Sequence, residues 1–423
     1  MKANPHMEIV TANDADAILQ IPPVPRISVQ AFCETSDLAA LISEALLDRR
    51  MDKAHVKVHM GGGPAAVEAY RSAPTPNVIV LEAGQDSSAL IGNLDALSES
   101  CDAGTKVVVA GRVNDISLYR DLIARGVSEY LLQPFGVIDF IRAVSHLYNH
   151  SEAAPVGRVI AVIGAKGGIG ASTIAHNIGW SIARSQDIAT VIADLDLGFG
   201  TVGLDFNQDP PQGIAEAVYA PDRLDANLLD RLLSKCSEKL SLLAAPATLD
   251  RQYDFTETAF DGIVDILRAT VPCVIMDVPH VWTGWTRRLL IGADEVVVVA
   301  SPDLANLRNA KNILDTLRVA RPNDAKPRLV LNCVGMAKRP EISVPEFAKV
   351  VEIEPAAVIP FDPRLFVTAA NNGQMIAEVE ASSKAAECFN DLARLVTGRP
   401  ELRKAKRGML APLMDRLARK KAS

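Results

Sequence analysis

The stretch Arg158-VIAVIGAKGGIGASTIAHNIGWSIA-Arg184 decides how the chain is read. It opens as a continuous apolar run, the pattern of a parallel strand covered on both faces. The run passes through Gly167, Gly168 and Gly170 directly into a segment of helical period. Glycines at such a turn let successive backbone N–H groups face inward as an anion nest, and the helix N-terminus adds its positive dipole end. Ser172 stands where a hydroxyl ligates Mg²⁺, and Thr173 beside it where one meets a phosphate oxygen. Lys166, Gly167, Gly168, Ile169, Gly170, Ala171, Ser172 and Thr173 are therefore the candidate phosphate loop. The competing reading is a turn that uses glycine only for close packing.

Further apolar runs end in polar residues. ATVIADLDLGFGTVGLDF places Asp194 and Asp196 at a strand end, beside glycines that let the next loop move. CVIMDVPH is a second apolar run that reaches an acid, Asp277, and LVLNCVG carries Asn332. Asp196 has a second reading, as an acidic strand terminus that caps the next turn. His280 reads as a satisfied surface histidine or as an acid–base group.

Working outward, the chain is 423 residues long, which favours two domains. With 48% hydrophobic and 22% charged residues it has the balance of folded protein. The net charge of −7 gives no overall attraction to nucleic acid or an anionic membrane, so DNA is not an expected partner. Six cysteines occur without a C-x-x-C pair, as suits reduced cytoplasm, and the N-terminus lacks the pattern of an export signal.

Residues 1–25 read as a flexible arm, because the proline-rich end at residues 21–25 offers little to bury. Over residues 26–150, five β-rich runs (RISVQAFC, HVKVHM, NVIVLE, KVVVAG, EYLLQP) alternate with helical segments such as 38–47 and 137–147. That predicts an α/β domain with a flavodoxin-like parallel sheet. Residues 151–157 read as a linker, 158–398 as a second, doubly wound parallel-sheet domain, and 399–423 as a basic tail.

The loop resembles the deviant Walker A motif of the ParA/MinD family, Lys-Gly-Gly-x-Gly-Lys-(Ser/Thr). Lys166 matches the signature lysine, which in that family reaches across a sandwich homodimer to the partner's nucleotide. The chain departs from the pattern at Ala171, where the phosphate-contacting lysine belongs, and at Ala165, which replaces a glycine. The resemblance implies bound ATP and Mg²⁺, with Asp196 positioning the attacking water, Asp277 on Mg²⁺ through water, and Asn332, Pro360, Asp362 and Asn371 near the base. Without the lysine, hydrolysis suffers more than binding.

The front domain resembles a two-component receiver by layout. At the receiver's functional places it has Cys33 and Glu34, Glu82 in the phosphoacceptor position, Ala110, and Gln133-Pro134. Glu82 cannot form an aspartyl phosphate, so the domain reads as a docking or dimerisation module. Glu82 itself reads as a permanent charge mimic or as a solvated strand end. The pairs His55/His59 and His146/His150 have spacings compatible with metal ligation, although no further ligand completes either by sequence.

Together, a degenerate receiver and a ParA/MinD domain with Gly-Ala-Ser-Thr in its loop resemble the CpaE/TadZ family of Tad pilus assembly proteins. The resemblance implies a nucleotide-gated dimeric scaffold at the cell pole, with pilus assembly, secretion and polar landmark proteins as partners. The alternatives are a cycling ATPase that positions chromosome, plasmid or flagellar cargo, and a response regulator. Residues 399–421 carry nine Lys/Arg against two acids, with apolar residues on one helical face. They suit an anionic inner membrane, a groove on a partner, or packing on their own domain.

Overall fold

The computed structural model describes residues 21–398, apart from residues 85, 103, 149–155, 247, 248, 250 and 251. The linker's first residues, His150 and the basic tail lie outside the described residues.

The front sheet is built from β1 (Ser28–Cys33), β2 (His55–Met60), β3 (Val78–Glu82), β4 (Lys106–Gly111) and β5 (Glu129–Leu132). All pairings are parallel and the order is β2-β1-β3-β4-β5, the flavodoxin-like arrangement. Along β3 every residue is buried. Alternation sends Val78 and Val80 to one core and Ile79 and Leu81 to the other, so both faces need helices.

The rear sheet has eight strands: β6 (Arg158–Gly164), β7 (Thr190–Asp194), β8 (Ser234–Lys235), β9 (Leu240–Leu243), β10 (Cys273–Val278), β11 (Glu295–Ala300), β12 (Arg328–Val334) and β13 (Ala357–Pro360). Their order is β13-β12-β11-β6-β10-β7-β9-β8, parallel except for β8 against β9. The apolar strands β6, β10 and β11 are central because they bury both faces. The short pair β8 and β9 carries little periodicity and was not foreseen from the sequence.

One boundary differs from the sequence reading. Ile21 and Val24, assigned to the arm, are buried in the front core. The Val24 N–H donates to Arg50 O at 2.8 Å, and Ser145 Oγ donates to Pro22 O at 2.8 Å. Proline removes donors from this segment, but its carbonyls and its two aliphatic side chains are still used.

The two domains meet through charge. The turn Arg49–Met51 inserts Arg49 and Arg50 against the rear domain, where Arg49 Nε lies 2.7 Å from Asp324 Oδ2 and Nη1 lies 3.2 Å from Asp294 Oδ1. Arg50 pairs with Asp48 and Asp324, and Arg321 and Arg268 complete the network on Asp324 and Asp294. Asp294 and Asp324 precede β11 and β12, so the front domain sits at the N-terminal edge of the rear strands. The phosphate loop is at the opposite, C-terminal edge.

Candidate nucleotide site

The phosphate loop leaves the end of β6 and enters the helix Ala171–Gln186. Lys166, Gly167 and Gly168 are exposed, Ile169 is buried, and Gly170, Ala171, Ser172 and Thr173 are half-buried. Two glycines are required by the backbone: Gly168 has φ +74° and Gly170 φ +83°, a region costly for other residues. At Gly170 a Cβ also meets Asn332 Nδ2 at 2.7 Å. A Cβ built at Gly167 or Gly168 meets nothing within 4 Å, so the rim of the loop is open to a ligand.

The loop is held from below. Ala165 is buried, its N–H donates to Val299 O at 2.7 Å, and its carbonyl accepts from Asn309 Nδ2 at 2.9 Å. Asn332, expected near a base, donates its Nδ2 to Ile169 O at 2.7 Å. It lies beneath the phosphate loop, on the second strand from β6. His280 is exposed, with Nδ1 2.8 Å from Gly164 O.

Beneath the loop is an acidic pair. Asp194 ends β7 and Asp277 lies near the end of β10, paired in register and both buried. Asp194 accepts from the N–H groups of Asp196 (3.1 Å) and Val202 (3.1 Å). Burial first, and then the charge of Asp277, holds the Asp194 carboxyl above its ordinary range. Asp196 accepts from the Phe199 N–H at 3.0 Å, so its side chain caps the next turn.

Sequence reasoning missed His176. It is fully buried in the helix behind the loop, with Nδ1 2.7 Å from Asp205 Oδ2. Its Nε2 lies 3.4 Å from Asp277 Oδ2, close enough for charge attraction but not aligned as a hydrogen bond. Burial, the largest influence, lowers its pKa, yet Asp205 and Asp277 together outweigh it and raise the value to about 10. Ligand atoms of His176, Asp194 and Asp277 lie within 4.8 Å of one another, the one such group among the described residues. The two carboxylates of that group are oxygen ligands of the kind a divalent cation takes.

Pro360 and Asp362 lie at and just beyond the end of the edge strand β13. Asp362 accepts from the Leu365 N–H at 3.0 Å and caps the helix Pro363–Asn372, which carries the exposed Asn371. Lys166 lies near enough to Asp303 to be among the charges that hold its carboxyl low. There burial works upward, and Asn306 and Arg339 pull downward with Lys166.

No family model matches the chain. Septum site-determining protein MinD of Synechocystis sp. is 26% identical over 253 residues, which are 57% of this chain and 90% of that protein. A solved ParA family ATPase from Chlorobium tepidum TLS is 26% identical with a TM-score of 0.51, covering 56% of this chain and 98% of its own. The rear domain has the P-loop fold of the ParA/MinD ATPases. A solved pilus assembly protein CpaE from Caulobacter crescentus CB15 is 50% identical over 30% of this chain and 97% of its own, with a TM-score of 0.29.

In front of this ParA/MinD-type domain, Glu82 is neither solvated nor free. It is 3% exposed; Oε2 accepts from the N–H groups of Glu34 (2.7 Å) and Thr35 (2.8 Å), and Oε1 from Thr35 Oγ1 (2.7 Å). The solvated strand-end reading is corrected: the carboxylate fastens the start of the first front helix, whose orphan donors attract it. His59 stacks on Phe32 at 5.0 Å. No helix among the described residues is long and apolar enough to cross a membrane.

Proposed function

We propose that the protein is a nucleotide-gated homodimeric scaffold of the CpaE/TadZ kind, holding ATP with Mg²⁺ and hydrolysing it slowly or not at all. The observation that carries this reading is the loop itself: an open glycine rim with Lys166 exposed at its mouth, a buried acidic pair below, and Ala171 where a lysine belongs. Mg-ATP, when bound, supplies the negative triphosphate on which two subunits can converge.

The chain's residues divide the work. The amides of residues 167–173 and the helix N-terminus bind phosphate oxygens, Ser172 holds the metal, and Asp277 holds its water. Lys166 serves the second subunit's nucleotide, which makes the interface self-complementary about a two-fold axis. Pro360 and Asp362 border the base, with Asn332 supporting the loop from that side. The loss of a charge-assisted contact at Ala171 forgoes roughly 1.5–3 kcal/mol, taken from the transition state as much as from binding.

The front domain presents its surface to pilus assembly, secretion or polar landmark proteins, at the end of the molecule opposite the nucleotide. On this reading the protein acts in the cytoplasm at the cell pole, with the basic residues 399–421 touching the inner membrane. Sizing the full chain with and without Mg-ATP, while assaying phosphate release, tests the proposal. The expected result is a nucleotide-dependent dimer, lost in Lys166→Ala, with little phosphate released. Rapid turnover favours the cycling ATPase instead, and a Lys166→Ala chain that dimerises normally refutes the composite site.

A further inference from the structure

The crossover from β10 to β11 runs from one edge of the rear sheet to the other. It leaves β10 beside the phosphate loop, where the His280 Nδ1–H donates to Gly164 O at 2.8 Å, and the next residues, Val281 and Trp282, are exposed. Thr283 and Thr286 then cap the helix Gly284–Gly292 reciprocally: the Thr283 N–H donates to Thr286 Oγ1 at 2.8 Å, and the Thr286 N–H to Thr283 Oγ1 at 3.3 Å. Trp285, Leu289 and Leu290 seat this helix on the core as a rod of nine residues, about 14 Å long. Its far end reaches the front domain. The last carbonyls of a helix have no partner within it, and here Gly292 O accepts from Arg49 Nη1 at 3.2 Å. One turn earlier, Arg288 Nη2 lies 2.9 Å from Asp52 Oδ2. Arg49 and Asp52 open and close the same tight turn of the front domain.

We propose that the helix Gly284–Gly292 is a mechanical link through which the nucleotide site and the front domain sense one another. A ligand on the phosphate loop meets the exposed segment that leads into the helix, while the front domain holds the carbonyl that ends it. The strand β10 cannot carry such a shift, because β6 and β7 fix its register on both sides. The helix is held on the sheet by side-chain packing alone, and packed helices slide by small steps. Its far end has two states: clamped, with Arg49 and Asp52 upon it, and released. Bound Mg-ATP favours one of them, and a protein docked on the front domain that favours the same state raises nucleotide affinity by the same factor. Arg49 and Arg288 are positioning residues, since both act at the edge opposite the nucleotide. Because the link rests on the proposed nucleotide site, uptake of Mg-ATP with no response at the domain junction sinks the link alone.

The test is amide hydrogen exchange of the full chain over residues 49–54, with and without saturating Mg-ATP, beside calorimetric ATP affinity. The chains compared are wild type, Arg288→Ala, Arg49→Lys and Lys53→Ala. Arg49→Lys keeps the buried charge but loses the fork that reaches Gly292 O. Lys53 pairs with Asp265, on a different helix, and serves as the control. In wild type, Mg-ATP is expected to change exchange over residues 49–54 by about fivefold or more. Arg288→Ala and Arg49→Lys should lose most of that change and shift ATP affinity, whereas Lys53→Ala should keep both as in wild type. The signs are bound together: if Mg-ATP speeds exchange, the two loosened variants bind ATP more tightly, and if it slows exchange, more weakly. The opposite sign, or wild-type exchange that ignores bound Mg-ATP, overturns the proposal. Variants that melt lower yet keep the full nucleotide effect have lost a merely structural contact, and overturn it too. No ATP uptake by wild type removes the nucleotide site and the link with it. Should Arg49→Lys not fold, Arg288→Ala decides alone, since its partly exposed side chain can be lost without opening the core.

Discussion

Replacing Asp324 with alanine removes the carboxylate on which three guanidiniums converge. Arg49 Nε and Arg321 Nε lie 2.7 and 2.8 Å from its Oδ2, and Arg50 pairs with Oδ1. Burial pushes the Asp324 carboxyl upward, but Arg49, Arg321 and Arg50 together hold it down at about 2, against an ordinary value of 3.8. That difference corresponds to about 2 kcal/mol of stability at neutral pH, from the ionised form alone. The folded value is the lower one, so the stabilisation is present above pH 3.8 and lost as pH falls through about 2. Alanine does more than remove this term: it leaves Arg49, Arg50, Arg268 and Arg321 to share Asp48 and Asp294. Breaking such a buried network costs about 3–5 kcal/mol. Urea unfolding followed by tryptophan fluorescence measures it in the rear domain, where Trp180, Trp282 and Trp285 all lie. The gap between wild type and variant should narrow between about pH 4 and pH 2 as the wild-type carboxyl takes up its proton. A loss below about 1 kcal/mol at pH 7, or a gap that widens in acid, refutes the reasoning.

Gly170→Ala forces a left-handed φ on alanine and drives its Cβ against Asn332 Nδ2; it should cost about 1–2 kcal/mol and weaken ATP binding at least tenfold by calorimetry. Asn332→Leu leaves the buried Ile169 carbonyl without its donor, for about 1–3 kcal/mol of stability in thermal unfolding and weaker nucleotide affinity. Ala171→Lys restores the missing cation, and phosphate release should rise by about tenfold or more if that side chain stabilises the transition state. Glu82→Gln replaces a carboxylate that accepts three hydrogen bonds at the start of the first front helix, and should cost about 1–3 kcal/mol by front-domain circular dichroism.

Much of the architecture was legible because strand and helix differ in period. The five front runs and the strands β6, β7, β10, β11 and β12 announce themselves as apolar segments bounded by glycine, proline or acid. The pair β8 and β9 did not, since two- and four-residue strands are too short for any period and form by pairing, β9 with β7 and β8 with β9. Ile21 and Val24 were hidden by the prolines around them. At the site, the glycine loop, Asp194 and Asp277 lie where strand ends must put them. His176 was not legible because a histidine inside an apolar helix reads as core, and its acids come from residues 29 and 101 positions away. Asn332 is legible as a residue near a strand end, but not that its amide donates to Ile169 O, 163 positions away. The ion network between domains escaped for a similar reason: Arg49 and Asp324 are separated by 275 positions, and each alone reads as solvated charge.

The most direct test of the whole account is calorimetric titration of ATP into the full chain with magnesium present. The account predicts saturable uptake of one nucleotide per chain despite Ala171, and weaker uptake in Gly170→Ala. No heat of binding at millimolar ATP, with the chain folded, contradicts it.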